Sequence, residues 1–414
     1  MILEIYLKKN NTSLRKLHLI SGIPETTVRS INKREIDKWT IEFLDAVAKT
    51  VDKDRFTVIL ELKELENDYK KQNSNLFLEG RYNLENRRYI GSKNKLLNWI
   101  SELVDEHTIG KSFFDVFAGT GVVTQKMLEK FDSFIINDFL FSNNIIYNAF
   151  FGIEEINIKK LYEFKDIFQS INTNDVDDDY FVDNFGGKFF SEHDARIIGE
   201  IRTIIEKSND LNKRERAILI ASLLYSSDKI ANTVGHYDAY RKNLTIQDRF
   251  LFELISPLDL SGKSITIYRE DSNELVRHVE ADIAFIDPPY NSRQYSRFYH
   301  VLEGISKWDK PLLEGVAMKP PSENMSEYSK TSAPEVFNDL ISNINSKYIV
   351  VTYNNTYKSR SSSSRNKITH EQILDSLKKV GNTKIFEMPF QFFNAGKTDL
   401  KDHKEFVFIT EVGK

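Results

Sequence analysis

A chain of 414 residues without a single cysteine holds no disulfide, no zinc ribbon and no cysteine nucleophile. With 40% hydrophobic and 29% charged residues, no apolar run near the roughly 18 residues of a membrane span and no leader-like start, it is expected to be a soluble, cytoplasmic protein of two or three structural units. A net charge of −4 excludes a general polycation, so any nucleic-acid surface must be a local basic patch.

Residues 1–65 are expected to form a small all-α unit. Ser13 is placed to cap a helix over Leu14–Ile20, and Ser21-Gly22-Ile23 makes a turn. Pro24 opens a second helix, Glu25–Ile31, at the position where proline is favourable. A third helix follows Thr40, over Ile41–Lys49. Helix, glycine turn, helix is the helix-turn-helix pattern, and the segment resembles the Cro/repressor class. Leu17, Ile23, Val28 and Ile31 fall inward, leaving Thr26, Thr27 and Arg29 outward to meet DNA. A helical cap without a DNA role is the alternative. Residues 66–86 are polar and read as a linker or exposed helix.

Strands are expected at Phe113–Phe117, Phe134–Asp138, Ser264–Tyr268, Asp282–Ile286, Tyr348–Tyr353, Thr383–Pro389 and Phe406–Thr410. Helical stretches such as Val122–Lys130 lie between several of them, which implies an α/β fold with a doubly wound, mostly parallel sheet. The sheet domain is read as residues 87–149 plus 262–414. Residues 150–261 interrupt it as a helical insertion, with helices over Glu192–Glu206 and Lys213–Lys229 and an acidic stretch, Asp175–Asp179. Ser359–Arg365 is low in complexity and reads as a mobile loop, its Arg360 and Arg365 solvated or touching phosphate.

Two motifs carry the chemistry. Asp287-Pro288-Pro289-Tyr290 follows the apolar run Ile283–Ile286 and puts a carboxylate, rigid carbonyls and a ring at a sheet rim. Neither proline has an N–H, so the turn offers acceptors and withholds donors. It suits a flat amine: Asp287 and the Pro288 carbonyl take its hydrogens and Tyr290 stacks on its ring. Upstream, Phe114-Asp115-Val116-Phe117-Ala118-Gly119-Thr120-Gly121 breaks from a strand into a glycine turn and a helix. Glycine permits close approach and the helix start offers free N–H groups, so Asp115, Phe117, Ala118, Gly119 and Gly121 are candidate cofactor contacts. Asp138, ending the second strand, would accept from ribose hydroxyls, and Asp271 from a nucleotide's amine.

In this order the motifs resemble those of amino-group DNA methyltransferases. Tyr89-Ile90-Gly91-Ser92-Lys93 resembles the aromatic-x-Gly-x-Lys element of the Dam-like, alpha-group adenine enzymes, although tryptophan is common there at the position of Tyr89. Asn291–Glu303, Gly186–Ser191, Asp228–Tyr237 and Val351–Asn355 resemble the FokI-type modification methylases. The resemblance runs from about Arg87 to the C-terminus. It implies a Rossmann-like sheet, S-adenosylmethionine as cofactor, Tyr89, Lys93 and Asp287 among its contacts, double-stranded DNA as substrate, no metal, and in some settings a cognate restriction endonuclease. The absent cysteine excludes transfer to cytosine carbon 5. Arg293 and Arg297 would hold phosphates beside a flipped nucleotide, and His236, Tyr237 and Arg241 would fill or probe the duplex. The insertion is expected to read the target. Two alternatives stay open: an RNA-adenine or cytosine-amine methyltransferase, or a DNA-binding regulator with an inactive methylase fold.

Overall fold

The computed structural model describes residues 2–10, 12–31, 36–74, 78–173, 176, 179–355, 366–389 and 404–413; the side chains of 25, 29, 37 and 66–74 are also outside this description. The serine-rich run and most of the acidic stretch therefore lie outside the described residues. The chain divides into two compact units, Met1–Leu78 and Glu79–Lys414. Among the described residues no helix is long and apolar enough to cross a membrane.

Among its described residues the first unit has five α-helices: α1 (Ile2–Lys9), α2 (Leu14–Ser21), α3 (Glu25–Ile31), α4 (Ile41–Val51) and α5 (Arg55–Ser74). Local chemistry sets their ends. The Ser13 hydroxyl accepts from the Lys16 N–H at 3.2 Å, and Thr40 accepts from Phe43. Gly22 closes α2 at φ 71°, its N–H donating to the His18 carbonyl. Leu17 and Val28 are buried with Leu3, Tyr6, Phe43, Val47, Val58 and Leu62, while Ile23 and Ile31 pack on this core from its margin. Thr26 and Thr27 are exposed.

Among its described residues the second unit has a seven-stranded sheet flanked by helices. Its elements run α6 (Leu97–His107), β1 (Ser112–Asp115), α7 (Val122–Met127), β2 (Ser133–Asn137), α8 (Phe141–Phe151), α9 (Ile158–Gln169), α10 (Tyr180–Phe185), α11 (Glu192–Lys207) and α12 (Lys213–Ile230). They continue with β3 (Ser264–Tyr268), α13 (Ser272–Leu275), β4 (Glu280–Ile286), α14 (Tyr295–Phe298), α15 (His300–Lys307), α16 (Ala333–Asn343), β5 (Asn345–Asn354), α17 (His370–Lys378), β6 (Gly381–Pro389) and β7 (Lys404–Val412). The strand order is β3-β2-β1-β4-β5-β7-β6. All pairings are parallel except those of β7, which is antiparallel to both β5 and β6. All seven expected strands are present within a few residues of their expected ends.

Central β1 and β4 are buried on both faces, which explains their unbroken apolar runs. One face of the sheet packs on α13, α16 and α17 through Phe114, Ile286, Ile349, Val351, Phe408, Phe337, Leu340, Ile373 and Leu377. The chain leaves β1 toward β2 and β3 but leaves β4 the other way, toward β5. The carboxyl ends of β1 and β4 therefore border the crevice where the topology reverses, the place where open α/β sheets bind ligands.

Candidate active site

Strand β4 carries Asp287 to that crevice. Lys93 Nζ lies 2.6 Å from Asp287 Oδ2, and the Thr352 hydroxyl, at the end of β5, donates to Oδ1 at 2.8 Å. Lys93 is 9% exposed. Burial alone would lower its pKa, but Asp287 and Glu405 outweigh this and raise it, so the ammonium is firmly charged. The resemblance expects Lys93 among the cofactor contacts; in this structure it pairs with Asp287, as the 89–93 segment meets the end of β4. Tyr290 is 7% exposed, and its ring meets Tyr353 edge-on at 4.9 Å. Its hydroxyl lies near Thr352 without reaching hydrogen-bond geometry, and burial pushes its pKa well up.

The glycine turn occupies the other side. The Ala118 N–H donates to the Asn137 carbonyl and the Val116 N–H to the Phe285 carbonyl, which joins β1 to both neighbours. Gly119 and Gly121 have φ of 54° and 78°, a region that suits glycine. A Cβ on Gly121 would come within 3.3 Å of Phe151, Leu84 and Tyr147, and one on Gly119 would touch the Tyr89 ring at 3.4 Å. Asp138 pins the turn, accepting from the N–H groups of Gly119 and Leu140, both at 3.0 Å. Burial raises the Asp138 pKa, and these bonds oppose it. Phe117 stands edge-on to Tyr328 at 5.1 Å.

Two further candidates already hold hydrogen bonds within the chain. Asp115 is 1% exposed and accepts from Thr124 at 2.7 Å, so it ties α7 to β1 rather than facing the crevice; burial pushes it up to about 7. Asp271 is exposed and caps α13, accepting on Oδ1 from Asn273 and Glu274.

Tyr89 is held in an aromatic stack. It lies parallel to Tyr299 at 5.0 Å and beside Tyr295 at 5.3 Å. Arg87 sits over the Tyr89 and Tyr299 rings at 5.1 and 5.6 Å. The Ile90 N–H donates to the Tyr299 hydroxyl and its carbonyl accepts from Tyr295, which fastens this segment to α14 and α15. Arg87 also donates to Asn143, yet Arg87 Nε and Asn143 Nδ2 are buried without partners. Sequence reasoning gave neither residue a role; Arg87 begins the resemblance, but nothing local marks Asn143.

The proposed DNA contacts divide. Arg241 is exposed. His236 packs against Phe298 at 4.6 Å, and Arg293 lies over that same ring at 5.8 Å. Arg297 donates to the Pro320 carbonyl at 2.6 Å, which directs it along the 314–322 loop. Tyr237 is a correction: it is 1% exposed, its hydroxyl donates to Asp228 and its N–H to the Phe298 carbonyl, so it offers a duplex no surface. Thr26 and Thr27 belong to the separate first unit.

A family model described as D12 class N6 adenine-specific DNA methyltransferase matches residues 89–363. The chain is 35% identical over 295 residues to "Modification methylase StsI" of Streptococcus sanguinis, covering 65% of this chain and 44% of that one. It is 30% identical over 352 residues to "Type II methyltransferase M.FokI" of Planomicrobium okeanokoites, with coverages of 78% and 52%. It is 30% identical over 339 residues to "Type II methyltransferase M.CviAII" of Paramecium bursaria Chlorella virus 1, covering 78% of this chain and 98% of that one. The chain thus spans about half the length of the StsI and FokI proteins and nearly all of the CviAII protein.

Proposed function

The chain belongs to the D12 class of N6 adenine-specific DNA methyltransferases, and from that premise we propose that it methylates the exocyclic amine of adenine at a fixed sequence in double-stranded DNA. The observation that carries this reading is Asp287 at the end of β4, across the switch-point crevice from the Gly119–Gly121 turn. The seven-stranded mixed sheet agrees with the S-adenosylmethionine-dependent methyltransferase fold.

The family's cofactor, S-adenosylmethionine, supplies the methyl group as a sulfonium. The residues present fit it: Gly119 leaves room beside Tyr89, and the unpartnered donors Arg87 Nε and Asn143 Nδ2 are buried nearby. Phe117, Ala118 and Asp138 complete the seat around the ends of β1 and β2, with Asp138 suited to ribose hydroxyls and Asp271 to an adenine amine.

The target base cannot be reached inside a duplex, so it is flipped out. Asp287 and the Pro288 carbonyl then accept the two amine hydrogens. Pro289 keeps the turn rigid, and Tyr290, braced by Tyr353, offers its remaining face to the base. Accepting both hydrogens aims the nitrogen lone pair at the methyl, and the reacting atoms gain most of their rate from being held in line. The amine is its own nucleophile, so no covalent enzyme intermediate and no metal enter the proposal. His236, Arg241, Arg293 and Arg297 border the DNA, and the segment 150–261 reads the sequence. The helix-turn-helix contributes separate DNA affinity through Thr26, Thr27 and Arg29. The modification methylases among the relatives support a restriction-modification setting, with a cognate endonuclease as partner.

Sequencing genomic DNA from cells that express the chain tests this reading. Modified adenine is expected at one fixed motif. A chain beginning at Glu79, and the full chain with Arg29→Ala, should methylate that same motif. A folded, cofactor-binding truncation with a changed or lost motif would place target reading in the first unit.

A further inference from the structure

Resting on the reading above, we infer that Glu405 is a second seat for the Lys93 ammonium, which moves from Asp287 to Glu405 when Asp287 accepts the target amine. Glu405 is the second residue of β7 and lies directly across from Asn354 on β5, two residues beyond Thr352. It is 7% exposed, and its Oε2 is buried with no hydrogen-bond partner. An ionised carboxylate oxygen left unpaired in a protein interior is unfavourable, so one facing an active site calls for a ligand.

The groups around Glu405 show which ligand. Lys93 approaches from the 89–93 segment, Asp287 and Tyr290 from the turn after β4, and Asn354 from β5. Lys93 is the one cation among these. Its present seat is also the atom pair that the amine needs, because Asp287 already receives Lys93 on Oδ2 and Thr352 on Oδ1. A carboxylate can accept further bonds, but an ammonium on it repels the positive charge that grows on the amine nitrogen during transfer. Moving Lys93 to Glu405 frees Asp287, gives the orphan oxygen a partner and leaves every group in the charge state it had. No proton changes hands.

The seat attracts Lys93 only when Glu405 is ionised. Burial and the charge of Asp287 push Glu405 up, and Lys93 and Asn354 pull it down, leaving it at about 7. Methyl transfer should therefore rise with pH through neutrality. Asp115, also near 7, couples to Asp287 from β1, so the assignment needs variants.

Single-turnover transfer to duplex DNA, with saturating S-adenosylmethionine, is measured from pH 5.5 to 9. Wild type is expected to gain about tenfold across neutrality, equivalent to ~1.4 kcal/mol. Glu405→Gln should be about tenfold slower at pH 8 and flat with pH. Glu405→Asp should keep the rise, and Asp115→Asn should not remove it. Glu405→Gln within twofold of wild type at pH 8, or slowed equally at every pH with the rise retained, overturns the second seat. If Glu405→Gln does not fold, a flat profile in Glu405→Asp overturns it instead. Wild type that methylates no adenine overturns the underlying reading, and the seat falls with it.

Discussion

Asp287→Ala is expected to slow methyl transfer by about 10²–10³-fold, roughly 2.7–4 kcal/mol of barrier, while the chain still folds and binds S-adenosylmethionine. The carboxylate ends β4 and contributes no apolar packing. Its two bonds, to Lys93 and Thr352, hold it at the rim rather than in the core. The folded state survives its loss because Lys93 retains Glu405 as a carboxylate neighbour. Asp287→Asn keeps the shape but replaces one acceptor oxygen with a donor NH₂, and should be nearly as slow. The check is single-turnover kinetics on duplex DNA, with calorimetry for cofactor affinity. Either variant retaining more than about a tenth of wild-type turnover, a barrier change below about 1.4 kcal/mol, would remove Asp287 from the reaction.

Lys93→Met should destabilise the second unit by about 3 kcal/mol at pH 8, because removing one partner of a buried ion pair leaves its charge uncompensated. The low end of the usual range applies, since the paired side chains keep 10% and 17% of their exposure. Methionine retains the aliphatic stem, so packing changes little. The pH dependence has a definite sign. Glu405 is raised from 4.5 to about 7 in the folded chain, so between those values the folded state holds a proton that the unfolded state has released. Stability from this group is therefore present below about 4.5 and is lost as pH rises through about 7. Without Lys93 the Glu405 pKa rises further, so the variant should suffer more at pH 8 than at pH 5.5. Urea unfolding at the two pH values measures this. A loss below about 1 kcal/mol, equal at both, would mean that Lys93 is not the counterion of this site.

Much of this architecture could be read from the chain. The seven strands stand out because the inner ones are buried on both faces and the runs between them change to helical spacing. The caps Ser13 and Thr40 and the left-handed Gly22 marked α2 and α4 by their own hydrogen bonds. Local signals could not show that β7 inserts antiparallel between β5 and β6, since pairing partners are set by tertiary packing. The site divides the same way. Asp287 and the two glycines announced themselves by turn chemistry. The partner of Lys93 was hidden because it lies 194 residues away in sequence. Tyr237 sits in a polar, aromatic run that looked exposed, yet Asp228 and Phe298 draw it inside. Glu405 did leave a trace: along β7 it falls in phase with buried Val407 and Ile409, where a carboxylate is out of place.

Adenine N6 methylation of DNA is tested by following the methyl group itself. The purified chain is incubated with methyl-labelled S-adenosylmethionine and duplex DNA in the presence of chelator, and the DNA is digested to nucleosides for mass spectrometry. Label is expected in N6-methyladenine and in no other nucleoside, appearing about 10²–10³-fold more slowly in Asp287→Ala. Label in a cytosine amine, transfer to RNA in preference to DNA, or no transfer by a folded, cofactor-bound chain would contradict it.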